Sequence, residues 1–177
     1  MHTFLQRVIG AARLDPRTYE EVEADSQATL QAVAVVVLAS IASGIGSVGI
    51  SVMGPRNMIA GVLGAIIGWV SWAVLTYVIG TRLLPGPQTR ADVGELLRTI
   101  GFATAPGVFR ILGVIPEVGL LFYSVVSVWM LLAMVVAVRQ ALDYASTARA
   151  LGVCVTGWVL SLIVAAIIGN VFATVVS

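Results

Sequence analysis

Histidine occurs once in the 177 residues, as His2, which closes the usual histidine routes to metal ligation and acid–base catalysis. Cysteine also occurs once, as Cys154 in an apolar run, so no disulfide can form within the chain. No HExxH, no CxxC and no Walker-type glycine loop is present. The stretch SGIGSVG, residues 43–49, has the outline of a serine motif but no base to activate a nucleophile. The reading is of a protein that is not an enzyme and uses no cofactor and no metal. Lysine is missing altogether: all ten basic residues are arginine, a usage that fits GC-rich coding and points to a bacterial source.

Charge is the largest deficit. Charged residues are 11% of the chain and hydrophobic ones 59%, against roughly a quarter charged in ordinary soluble domains. Mean hydropathy is +1.01. So little polar surface cannot cover a water-facing globule, and the solvent for most of the chain is lipid. No Pro- or Ser-rich linker divides it, so it reads as one domain, and its first residues lack the continuous core of a secretory signal peptide. The fold class expected is all-α: a polytopic bundle of five transmembrane helices with a short interfacial N-terminal helix.

Runs of about 20 apolar residues mark the spans. They fall at about 28–52, 58–80, 118–138 and 150–172, with a fifth at 96–115, leaving residues 1–27 as a cytoplasmic amphipathic and acidic segment and 28–177 as the membrane domain. If all five cross, Arg7, Arg13, Arg17, Arg82, Arg90, Arg98, Arg139 and Arg149 fall on one side, and only Arg56 and Arg110 on the other. That asymmetry predicts a cytoplasmic N-terminus and an outer C-terminus, in a bacterial cytoplasmic membrane.

The fifth run, RTIGFATAPGVFRILGVIPEVG, is apolar yet interrupted. Pro106 lacks an N–H, which predicts a kink and a freed Phe102 carbonyl. Gly101, Ala103, Ala105 and Gly107 suit a helix packed closely inside the bundle. Two roles fit the break: a structural kink, which is the expectation, or a broken helix lining a substrate site. Arg110 lies about 18 Å beyond Arg98 along such a helix. It is expected to snorkel outward or to pair with Glu117 just past Pro116, and within a membrane it is also a candidate functional residue. Small-residue ridges run through Ala60, Gly64 and Gly68, through Gly157, Ser161, Ala165 and Gly169, and through Ser43, Ser47 and Ser51. They are expected to pack helices within the chain or in a homo-oligomer. Trp69, Trp72, Trp129 and Trp158 fall inside spans, where packing or interface anchoring accounts for them.

Ahead of the first span, Phe4, Leu5, Val8, Ile9 and Ala12 share one helical face, as in a helix lying in the membrane interface. Asp15 and Pro16 read as N-cap and first residue of a second short helix. Its acidic cluster, Glu20, Glu21, Glu23 and Asp25, is either a solvated face or a docking surface for a partner. Between the last two spans, Asp143, Tyr144, Ser146 and Thr147 can close a turn between helices, and Asp143 and Tyr144 join the docking candidates.

Three stretches carry a resemblance: RLDPRTYEEVEADSQATLQA before the first span, GFATAPGVF at 101–109, and WMLLAMVVAVRQALDYASTARALGVCV at 129–155. In these the chain resembles the Yip (Ypt/Rab-interacting protein) membrane family in its short prokaryotic form. The resemblance implies a polytopic, non-enzymatic membrane protein; eukaryotic members bind small GTPases of vesicle traffic and shape or sort membranes. This chain lacks their Asp-Leu-Tyr-Gly-Pro type motif and long cytoplasmic N-terminal region, so GTPase binding does not carry over. The expected partners are membrane lipids and other membrane or peripheral proteins, with no nucleic acid. The expected role is scaffold, adaptor or subunit in membrane organisation or trafficking. A small-solute or lipid transporter or channel using the Pro106 break, with Arg110 as an anion contact, is the alternative from another class; a membrane-shaping protein is a third.

Overall fold

The computed structural model describes residues 3–48, 58–115 and 117–176, and the side chains of all these except 48, 58 and 164–176. His2, Ser51, Arg56 and Pro116 lie outside the described residues, as do residues 49–52 of the first expected span. Helices begin where short polar signals allow. Thr3 and Gln6 close a capping box at the head of α1 (Phe4–Ala12), satisfying two backbone N–H groups that a helix end leaves bare. Asp15 caps α2 (Pro16–Ala24), with Pro16 in its first turn. Asp92 and Glu95 close a second capping box, at the head of α5 (Val93–Ala103). The remaining helices are apolar: α3 (Ala28–Val48), α4 (Met58–Val78), α6 (Gly119–Ala141) and α7 (Thr147–Val176). The described residues contain no strand.

Three helical stretches are long and apolar enough to cross a membrane: Ala28–Ser47, Ile59–Leu83 and Gly119–Ala141. The apolar part of α7 with described side chains, Thr147–Ile163, is shorter. Their outer faces carry Leu38, Leu63, Ile67, Leu121, Val125 and Leu132 exposed. An exterior that apolar has lipid as its solvent, so the chain is an integral membrane protein.

The interrupted run is not a kinked α-helix. α5 stops at Ala103, and residues Ala105–Val114 continue as a 3-10 helix. The proline ring would meet the carbonyl four residues back, so the wide helix cannot continue through it. The change of winding comes earlier, at Thr104. Its hydroxyl donates to the Gly101 carbonyl at 2.7 Å, and the Gly107 N–H donates to the Thr104 carbonyl at 2.8 Å. Runs of 3-10 helix beyond three or four residues are uncommon on their own, so this one depends on what packs against it.

What packs against it is α3. A methyl group on Gly101 would stand 2.7 Å from Ala32 Cβ, one on Gly107 3.0 Å from Ala39 Cβ, and one on Gly46 1.8 Å from the Arg110 carbonyl oxygen. Ala32, Ala39 and Gly46 recur every seventh residue, two turns apart, and so share a face of α3. Both series rise together, so α3 runs parallel to the α5–3-10 pair. In the absence of a hydrophobic drive between helices in lipid, such backbone approach provides the dispersion that holds them. α6 runs the opposite way: Gly107 lies near Met130, and Phe109 stacks on Trp129 at 5.5 Å. α4 ends in a π-helical turn, Ile79–Leu83, a feature its sequence did not announce.

Candidate functional site

Arg110 decides the interior. Counting α5 and the 3-10 helix at their different rises places it about 20 Å beyond Arg98. It neither snorkels outward nor reaches Glu117, which sits exposed at φ 72 in the turn before α6. The guanidinium instead turns into the bundle. One terminal nitrogen donates to Ser127 Oγ on α6 at 2.9 Å, the other reaches Ser43 Oγ on α3 at 3.5 Å, and the group lies 4.5 Å over the Tyr123 ring. The structure gives it no carboxylate partner among the described residues, and its Nε is buried without an acceptor.

This cation borders a cavity of about 490 Å³ between α3, α4, α6 and the 3-10 helix. Ser40 and Ser47 line it but donate their protons to the carbonyls of Val36 and Gly44, and Ser127 donates to Tyr123. Their hydroxyls are therefore left as acceptors. Trp69 and Trp72 both line the α4 side. Trp69 Nε1 donates to the Leu97 carbonyl at 3.1 Å, whereas Trp72 Nε1 is buried with no partner.

The expected packing residues divide. Gly101 and Gly107 meet α3, and a Cβ added at Gly157 would stand 3.1 Å from the Trp72 ring. Gly64 and Gly68 on α4 face open space, with nothing described within 4 Å of an added Cβ. Gly169 lies in α7, beyond the residues whose surroundings are described. Pro106 is fully buried. Ser43 borders the cavity and lies 3.5 Å from Arg110.

At the opposite end of the bundle the acidic cluster is split in two. Arg7, only 4% exposed, donates to Glu21 at 2.9 Å, to Asp25 at 2.8 Å and to Gln31 at 3.1 Å. It thereby joins α1, α2 and α3, and its hydrogen bond holds the Asp25 carboxyl below the usual range. Arg98 donates to the carbonyls of Val22 at 3.0 Å and of Glu23, the last-turn groups of α2, where the helix dipole favours a cation. The rest of the cluster meets the α6–α7 turn. Gln140 donates to Glu20 at 2.8 Å, and Glu20, Glu23, Glu95 and Asp143 line a second cavity of about 470 Å³ with Arg139. Burial, then repulsion from Glu95 and Asp143, pushes the Glu23 carboxyl up to about 7. No group of three His, Cys, Asp or Glu among the described residues is placed to hold a metal ion.

Tyr144 lines that cavity while its hydroxyl is turned away, donating to the carbonyls of Gly80 at 3.0 Å and Leu84 at 2.6 Å. It thus serves the backbone around the π-helical turn, and burial raises its pKa. Sequence reading missed Glu95, Arg7, Arg98 and Trp72. A heptad of small residues on α3 was the available signal for the packing; the hydrogen bonds, made by residues far apart in the chain, left none.

A family model described as the Yip1 domain matches residues 13–168. Among curated proteins and solved structures, none matches the chain.

Proposed function

The chain belongs to the Yip1 domain family, and on that premise we propose that it crosses the membrane five times and acts without catalysis as a scaffold or adaptor in membrane organisation or trafficking. The observation that carries the adaptor role is the meeting of Glu20, Glu23, Glu95 and Asp143, from three separate chain segments, around one water-facing recess. Carboxylates brought together and left without an equal number of cations suit a basic segment of a partner protein. Glu21 and Asp25 are not part of that surface, since Arg7 occupies them.

Five crossings are supported by the pairing directions: α3 and the α5–3-10 pair run together and α6 runs against them, the ends of α4 and α6 meet through Tyr144, and α7 lies beside α4 at Gly157 and Trp72. The arginine distribution along the chain supports a cytoplasmic position for the acidic recess and an outer C-terminus. Exposed Phe4, Leu5 and Ile9 on α1 suit an interfacial position for that helix.

The test is gentle extraction of wild type and of a Glu20→Gln/Glu23→Gln/Asp143→Asn variant from native membranes, with mass spectrometry of what co-purifies. A stoichiometric partner present with wild type and lost from the variant is expected. A partner held equally by both, or none with wild type, rejects the adaptor role.

A further inference from the structure

The Arg110 cavity has a chemistry of its own, independent of the acidic recess. Its wall is mainly apolar, with Val36, Ile41, Met130 and Met134 among its residues. Its buried polar atoms without a partner are, among the described residues, both donors. Arg110 Nε and Trp72 Nε1 are both buried without an acceptor, and the hydroxyls of Ser40 and Ser47 are already committed as donors to their own helix. A cation inside a membrane without a counter-charge is costly, and such residues mark ligand pathways. The complement of these donors is an anionic oxygen acceptor; that of the wall is a hydrocarbon chain.

The cavity also has a side entrance. Gly61 and Gly68 line it and are at the same time exposed on α4, with nothing described within 4 Å of where a side chain would begin. Glycine at both positions leaves a low wall between the cavity and the apolar exterior of α4, which carries exposed Leu63 and Ile67. A volume of about 490 Å³ is within the usual range for a small-molecule site.

We propose that this cavity binds an anionic lipid, whose carboxylate or phosphate oxygens accept from Arg110 and Trp72 and whose acyl chain enters between Gly61 and Gly68 from the bilayer. The charge of Arg110 selects the head and the apolar wall selects the tail.

Native mass spectrometry of the full chain in detergent tests this with three probes: dioleoyl phosphatidate, dioleoylglycerol and inorganic phosphate. Wild type is expected to retain phosphatidate and to hold dioleoylglycerol at least tenfold more weakly. Arg110→Gln removes that preference, Trp72→Phe weakens phosphatidate severalfold, and Gly68→Leu blocks the entrance. Equal retention of phosphatidate and dioleoylglycerol by wild type overturns the proposal, as does undiminished phosphatidate binding by Arg110→Gln. If inorganic phosphate displaces phosphatidate at equal concentration, the site is one for a free anion and the lipid assignment falls. Should Arg110→Gln not fold, Trp72→Phe, which keeps an aromatic ring and deletes the indole N–H, carries the decision: unchanged phosphatidate binding there overturns the proposal. Failure of this binding leaves the acidic recess and its partner untouched, so the two readings fail separately.

Discussion

Gly46 and Arg110 touch backbone to backbone: a methyl group added to Gly46 would stand 1.8 Å from the Arg110 carbonyl oxygen. Neither partner is a flexible side-chain end, so one helix must move. Gly46→Ala is expected to destabilise the protein by about 3 kcal/mol, at the upper end of overpacking costs. Gly64→Ala, on the open face of α4, is expected to do the reverse, adding about 0.5–1 kcal/mol from helix propensity. Thermal unfolding of both variants in one detergent checks the pair, and equal shifts would contradict the close α3 contact.

Arg98 holds the C-terminal end of α2 through the Val22 and Glu23 carbonyls. Arg98→Ala removes charge-assisted bonds and leaves acceptors bare, at a cost of about 2–3 kcal/mol. The loss is local, so limited trypsin digestion should cut sooner at the exposed Arg13 and Arg17 while the apolar helices stay intact.

Tyr144→Phe deletes one hydroxyl that serves two carbonyls, Gly80 and Leu84. A cost of about 1–2 kcal/mol is expected. Hydrogen exchange should rise at Thr81–Leu84 more than elsewhere, because those amides belong to the turn that Tyr144 braces.

Glu23 gives a pH dependence whose sign follows from its direction of shift. Its carboxyl titrates near 7 in the folded protein, above the ordinary 4.5, so the folded state binds the proton more tightly. Stability from this group is full below about 4.5 and falls as pH rises through 7. Glu23→Gln should flatten that part of the profile, measured as unfolding temperature between pH 5 and pH 8. An unchanged profile would show that another group carries it.

Class and element order were legible because they depend on local signals. Apolar runs gave α3, α4 and α6, and Asp15-Pro16 marked the start of α2. Pro106 marked the break, but not its form, since a ten-residue 3-10 helix is stabilised by α3 and not by its own propensities. Arg110 stood out as a charge in an apolar run, yet its direction depends on Ser43 and Ser127, 67 and 17 residues away in the chain. The acidic cluster was visible as composition. Its division between Arg7 and the α6–α7 turn required the packing of α2 against helices made much later.

That last separation has a consequence for synthesis. Arg98 follows Glu23 by 75 residues, and Trp129, which donates to the Ala12 carbonyl, follows Ala12 by 117. At 5–20 residues per second, the ribosome needs about 4–15 s to supply the first of these donors and about 6–23 s for the second. Through that interval the amino-terminal hairpin has only its own contacts and those Arg7 makes to α2 and Gln31. This hairpin, made early, is thus locked late, and its seating reports that the bundle has been built through α6.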